Sequence, residues 1–143
     1  MPIVNEIMST EVQMIAPEAT LREAAQMMLE QDVGALPVCQ GTSLLGMVTD
    51  RDIAVRGVAV GLLPDTATVG DVMTKNLEFC TEDQDTEAVM QTMGYAQVRR
   101  LPVVNPAGEL VGIVSIADMA RRQPGPVDQA VREISEPTPP DGA

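Results

Sequence analysis

The sequence predicts an α+β fold: two β-α-β-β-α repeats packed about a pseudo-twofold axis. Three observations predict it. First, landmarks recur at a nearly constant offset. Ile7-Met8-Ser9 and Val72-Met73-Thr74 lie 65 residues apart, as do Leu36-Pro37-Val38 and Leu101-Pro102-Val103. Gly46-Met47-Val48-Thr49 and Gly112-Ile113-Val114-Ser115 lie 66 apart, as do Asp52 and Asp118. A fixed period of this kind means one supersecondary unit used twice. Second, the added residue falls in a turn, Gln40-Gly41-Thr42-Ser43 against Asn105-Pro106-Ala107-Gly108. Turn chemistry tolerates such an insertion. Third, each copy sets a helical apolar period between short apolar runs of strand length.

Each copy opens with a short amphipathic turn, Ile3 to Met8 or Val69 to Met73. A short strand follows, Val12 to Ile15 or Leu77 to Cys80. The next element is a helix. Thr20-Leu21-Arg22-Glu23 reads as a capping box, hydroxyl and carboxylate each closing a free backbone N–H. Leu21, Ala24, Ala25, Met28 and Leu29 then define one apolar face. Thr86, Val89, Met90 and Met93 hold the corresponding places in the second copy. Two strands come next, Ala35 to Cys39 and Leu44 to Thr49, then Arg100 to Val104 and Leu110 to Ser115. A second helix closes each copy, from Asp50 to about Val60 and from Ile116 to about Arg122.

The domain reading is therefore residues 3–61 for the first repeat, 62–68 for a linker, 69–123 for the second repeat and 124–143 for a tail. The tail holds five of the eleven prolines, with Val127, Ala130, Val131 and Ile134 on one face of a short helix and a disordered end beyond it. A repeat of about 60 residues is marginal alone, so the two must pack together, creating two equivalent clefts. Their outer helical faces call for a homodimer, with Ile53, Val60, Met119 and Val127 as candidate contacts.

Composition narrows function. The 143 residues carry a formal charge of −12, no histidine, no tryptophan, one Phe and one Tyr. An acidic chain without aromatic platforms is unsuited to nucleic acid, whose readers present basic faces and stacking rings. Absence of histidine removes the commonest general base and most transition-metal sites. Cys39 and Cys80 are far apart and sit among apolar residues, which suits small buried hydrophobes. No metal site is expected. No window approaches the ~18 apolar residues of a membrane span, and the acidic start lacks the basic, apolar pattern of a signal peptide. A cytoplasmic protein without membrane contact follows.

The chemistry-bearing motif is G-h-h-[ST]-x-x-D, written Gly46-Met47-Val48-Thr49-Asp50-Arg51-Asp52 and Gly112-Ile113-Val114-Ser115-Ile116-Ala117-Asp118. Its plain meaning is a capping box where a strand turns into a helix. The same place offers unpaired N–H groups and partial positive charge to an anion. A hydroxyl can donate to phosphate there, and an acid one turn in can accept from ribose hydroxyls. Asp50 with Asp52 could also be read as a Mg²⁺ pair, a weaker fit because one helical turn presents only one useful ligand.

These motifs, in this order and twice over, resemble CBS domains, and the pair resembles a Bateman module. The resemblance spans about Ile3 to Arg122. It implies a non-enzymatic regulatory or signal-transduction module with clefts for an adenosine-containing ligand. AMP is the first choice; ATP, NAD and S-adenosylmethionine share the adenosine. No cofactor is required. Carried over by position, Asp52 and Asp118 would hold ribose, and Thr49 and Ser115 would meet phosphate or ribose. Val33, Gly34 and Ala35, with Val98, Arg99 and Arg100, would line the base and phosphate regions, and Thr10 and Lys75 would border the clefts. Arg99 and Arg100, with Lys75 nearby, would grip phosphate in one cleft. The first copy has Gly34 and Ala35 in place of that pair, so the clefts should differ. An effector protein would receive the output. The alternative is a structural or interaction module with no nucleotide. An enzyme would need an activated nucleophile or base, and the chain offers none.

Overall fold

A computed structural model describes residues 2–120 and Ile134. The tail assigned to 124–143 therefore lies outside the described residues, apart from Ile134. In chain order the elements are α1 (Val4–Ile7), α2 (Leu21–Gln31), β1 (Ala35–Gln40), β2 (Ser43–Thr49), a π-helical segment (Asp52–Gly57), a 3₁₀ turn (Val58–Val60), α3 (Val69–Val72), β3 (Cys80–Thr81), α4 (Thr86–Ala96), β4 (Arg100–Val104), β5 (Leu110–Ser115) and α5 (Ile116–Ala120). The second copy shows the expected β-α-β-β-α order, whereas the first has no regular strand before α2.

The described residues form two compact units, and these cut across the sequence repeats. One unit, called central for its place in the chain, holds residues 12–77 with 108–110; the other, called outer because it takes the flanking segments of the chain, holds 2–11, 78–107 and 111–120. Each unit thus joins the opening turn of one repeat to the body of the other. Hydrogen bonds make the exchange explicit. In the central unit, the Val69 N–H donates to Ala19 O at 2.8 Å, bringing α3 to the start of α2. In the outer unit, the Val4 N–H donates to Gln84 O at 2.9 Å, bringing α1 to the start of α4.

In the central unit β1 and β2 form an antiparallel hairpin, Ala35 opposite Thr49 and Leu36 opposite Val48, with a bulge at Val38/Cys39. The strand expected over Val12 to Ile15 reduces to one parallel bridge, Ile15 with Val38. Its counterpart β3 pairs Cys80 with Val103 and Thr81 with Val104, also in parallel. In the outer unit the sheet order is β3-β4-β5.

Two separate cores follow. Leu21, Ala24, Met28, Leu36, Val38, Val48, Val69 and Val72 fill the central unit. Val4, Cys80, Val89, Met90, Met93, Leu101, Val103, Val114 and Met119 fill the outer one. Met119 is thus a core residue rather than a subunit contact; Ile53 is packed partly against the core, whereas Val60 is exposed. The apolar stripe of α2 is narrower than its spacing suggests. Leu29 is 82% exposed and Ala25 is exposed, while Met27 packs against the core instead.

The capping box at Thr20 is half made. Its hydroxyl accepts from the Glu23 N–H at 3.1 Å, but the Glu23 carboxylate sits 3.2 Å from that same hydroxyl. Further donors at the start of α2 are closed by residues 62–68. The Leu21 N–H donates to Ala67 O at 3.1 Å and the Arg22 N–H to Pro64 O at 3.0 Å, with Arg22 also paired to Asp65. The segment between the repeats is a helix cap, with Ala67 in the core. The helix expected from Asp50 to Val60 is π-helical and then 3₁₀, stopped by Gly61 at φ 86°. The β-branched Ile53, Val55 and Val58 with Gly57 hold a regular α-helix poorly.

Among the described residues, one buried side-chain polar atom lacks a partner. The Thr86 hydroxyl, where the first repeat has Leu21, is buried and makes no hydrogen bond. A Thr86→Val substitution keeps the shape and removes that cost, so it is expected to stabilise the protein by about 1 kcal/mol. A raised urea midpoint at unchanged m-value checks this.

Candidate functional site

Both G-h-h-[ST]-x-x-D motifs turn a strand into a helix, and both are complete reciprocal caps. In the central unit the Thr49 N–H donates to Asp52 Oδ2 at 3.0 Å and the Asp52 N–H to Thr49 Oγ1 at 3.0 Å. In the outer unit the Ser115 N–H donates to Asp118 Oδ2 at 3.0 Å and the Asp118 N–H to Ser115 Oγ at 3.1 Å. The capping role is therefore made in full. A carboxylate oxygen accepts more than one hydrogen bond, so it is compatible with a ribose contact.

A second pair of matching bonds ties each helix start to the preceding strand start. The Ile116 N–H donates to Arg99 O at 3.0 Å, and the Asp50 N–H donates to Gly34 O at 2.9 Å. Arg99 and Arg100 thus lie beside Ser115 and Asp118 on the outer unit, with Val98 partly buried just before them. Val33, Gly34 and Ala35 hold the same place beside Thr49 and Asp52 on the central unit.

The opening turns complete each group, and here the expected grouping changes. Ser9 and Ile113 exchange hydrogen bonds at 2.8 and 2.9 Å, which sets Ser9-Thr10 along β5. Thr74 and Met47 exchange them at 2.8 and 3.0 Å, which sets Thr74-Lys75 along β2. Lys75 therefore joins Thr49 and Asp52, not Arg99 and Arg100, and Thr10 joins the arginine pair. The opening turns are exchanged between repeats, so sequence proximity to the second copy misplaced Lys75. Each turn approaches its strand at a glycine. A Cβ on Gly46 would lie 2.3 Å from Thr74 O, and one on Gly112 would lie 2.8 Å from Ser9 O.

Arg56, a cation of the first copy, sits one turn on from Asp52. Its Nη1 donates to Met73 O at 3.3 Å and lies 3.8 Å from Asp52 Oδ1. The i, i+4 spacing brings the two side chains together. Asp50 and Asp52 do not converge on a cation position: Asp50 Oδ1 accepts from the Arg51 N–H at 2.8 Å, while Asp52 faces Thr49. Cys39 and Cys80 are both buried free thiols, one in each unit, as their apolar surroundings suggested. Burial pushes the Cys39 thiol up and the Cys80 thiol to about 12. Among the described residues no helix is long and apolar enough to cross a membrane.

Comparison with known proteins agrees with this geometry. The CBS domain family model matches residues 4–57 and 69–125. Hypoxic response protein 1 of Mycobacterium tuberculosis is 40% identical over 139 residues, covering 96% of either chain. A crystal structure of Hypoxic Response Protein I with two coordinated zinc ions superposes with a TM-score of 0.79 at 40% identity, covering 86% of this chain and 100% of that one. A structure of CBSX2 in complex with AMP shares the fold, with a TM-score of 0.74 at 24% identity over 85% of this chain and 95% of the other. The zinc is a feature of Hypoxic Response Protein I. This chain has no histidine, and no group of three or more Cys, Asp or Glu that could hold a metal ion occurs among the described residues. Two copies of the strand-to-helix cap, the exchanged opening turns and the two matched segments lead to one assignment: the chain belongs to the CBS-domain family and carries two CBS domains in tandem.

Proposed function

We propose that this protein is a stand-alone, non-enzymatic, cytoplasmic regulator that binds an adenosine-containing ligand, AMP first, and passes the signal to an effector protein. The observation that carries the reading is the bond from the Ile116 N–H to Arg99 O. It brings two guanidinium-bearing residues to the strand-to-helix cap that holds Ser115 and Asp118. Two arginines, a hydroxyl and a carboxylate side by side suit a phosphate joined to a ribose. The complex of CBSX2 with AMP supports the ligand class within the same fold. Exposed Val55, Val58, Val60 and Leu63 on the central unit support self-association as a homodimer.

Calorimetric titration with AMP and with adenosine tests the reading. In the Arg99→Gln/Arg100→Gln protein, AMP affinity is expected to fall about 10- to 100-fold, the worth of one charge-assisted contact. Adenosine, lacking the phosphate, should change less than about twofold. Equal losses for both would make the arginine pair a support of the fold rather than a phosphate grip. No binding of either ligand to the unaltered protein would overturn the reading.

A further inference from the structure

The two caps differ most at one juxtaposition. On the outer unit the matched positions are Arg99 and Ile116; on the central unit they are Gly34 and Asp50. The same backbone hydrogen bond joins each pair, at 3.0 and 2.9 Å, so the positions are equivalent in structure as well as in sequence. The Asp50 carboxylate lies back across Gly34: a Cβ there would sit 3.0 Å from Oδ2 and 3.4 Å from Cγ. Any side chain at 34 would press on that carboxylate, so the glycine and the acid go together. Asp50 Oδ1 also takes the Arg51 N–H at 2.8 Å, one of the donors at a helix start that an incoming anion would use.

We propose that Asp50 is a built-in anion that closes the central half-site to phosphate. That half-site then accepts an adenosine compound whose group beside Gly34 is uncharged or cationic, while the outer half-site takes the phosphorylated one. The inference rests on the adenosine reading above. Net charge is not the basis for it. The central half-site also has cations, but Arg56 is committed to Met73 O and Asp52. Arg51 and Lys75 come from the helix start and the opening turn, not from the strand start. What changes sign between the two is the group that lies over the strand start, the Arg99 guanidinium on one unit and the Asp50 carboxylate over Gly34 on the other. A carboxylate within a few ångströms repels a phosphate, at a distance well inside the screening length of about 8–10 Å at physiological salt.

The test uses the full chain in the Arg99→Gln/Arg100→Gln background, where the outer half-site contributes little AMP binding. Asp50→Asn keeps the shape and one acceptor; Asp50→Ile copies the outer unit. Asp50 is exposed, so both variants should fold. In calorimetric titrations, each is expected to raise AMP affinity about tenfold and to move adenosine affinity less than twofold. Retained adenosine binding with unchanged AMP affinity in both variants would overturn the role of Asp50 alone. An equal gain for adenosine would also overturn it, since relief would not be charge-specific. Loss of adenosine binding by the unaltered protein would overturn the adenosine reading and this inference with it.

Discussion

Replacing Gly46 by alanine is expected to destabilise the protein by about 3–5 kcal/mol, a fall in Tm of roughly 10–20 °C. The added Cβ would lie 2.3 Å from Thr74 O, a backbone atom that cannot swing aside. Relief requires the opening turn to leave β2, and that breaks the reciprocal bonds between Met47 and Thr74, at 3.0 and 2.8 Å. Each such bond contributes about 1 kcal/mol, and a buried group left unpaired costs more. Gly41→Ala is the control. Gly41 has φ +62° with open space around it, so alanine there meets only the backbone penalty of about 1–2 kcal/mol. Thermal melts of the two variants should differ widely. Similar small losses would mean that the turn is not held at Gly46.

That same contact shows what could and could not be read from the residues. The offset between copies located β4 and β5 to the residue, because Leu-Pro-Val and Gly-h-h-[ST] stand on either side of one turn and the second ends at a helix cap. The caps at Thr49 and Ser115 were readable for the same reason: both partners of a cap lie three residues apart. The exchange of opening turns was not readable. Ser9 and Thr74 are equivalent residues, and each could pair with either repeat's strand edge; only the long-range bonds to Ile113 and Met47 decide. Lys75 was therefore grouped with the wrong cap. The capping by residues 62–68 was hidden too, because it uses the carbonyls of Pro64 and Ala67, which carry no side-chain signature. The π-helical segment after Arg51 shows a similar limit. Apolar periodicity marks that a helix exists, but it does not distinguish the wider hydrogen-bond step from the regular one.

The second large effect concerns alkali. Cys80 is 2% exposed within the outer core, where its Sγ donates weakly to Pro102 O at 3.8 Å. Burial disfavours the thiolate and pushes the thiol from 9.0 to about 12. The folded state therefore keeps the proton in a range where the unfolded state loses it. Above pH 9 the unfolded chain binds fewer protons, so stability must fall as pH rises, by about 1.4 kcal/mol per unit. The contribution is intact below pH 9 and is lost progressively towards pH 12, reaching about 4 kcal/mol. Cys39, raised for the same reason, adds loss of the same sign. The comparison is with Cys80→Ala, in which every other ionisable group is shared and cancels. At pH 7 that variant should be less stable than the unaltered protein, by about 1 kcal/mol for the lost packing. As pH rises, the gap should close and then reverse, because only the unaltered chain has this thiolate to bury. Urea titrations at pH 7, 9 and 10.5 measure it. A gap that stays constant across the series would mean that Cys80 ionises without unfolding, which its place among Val89, Val103 and Val114 does not allow.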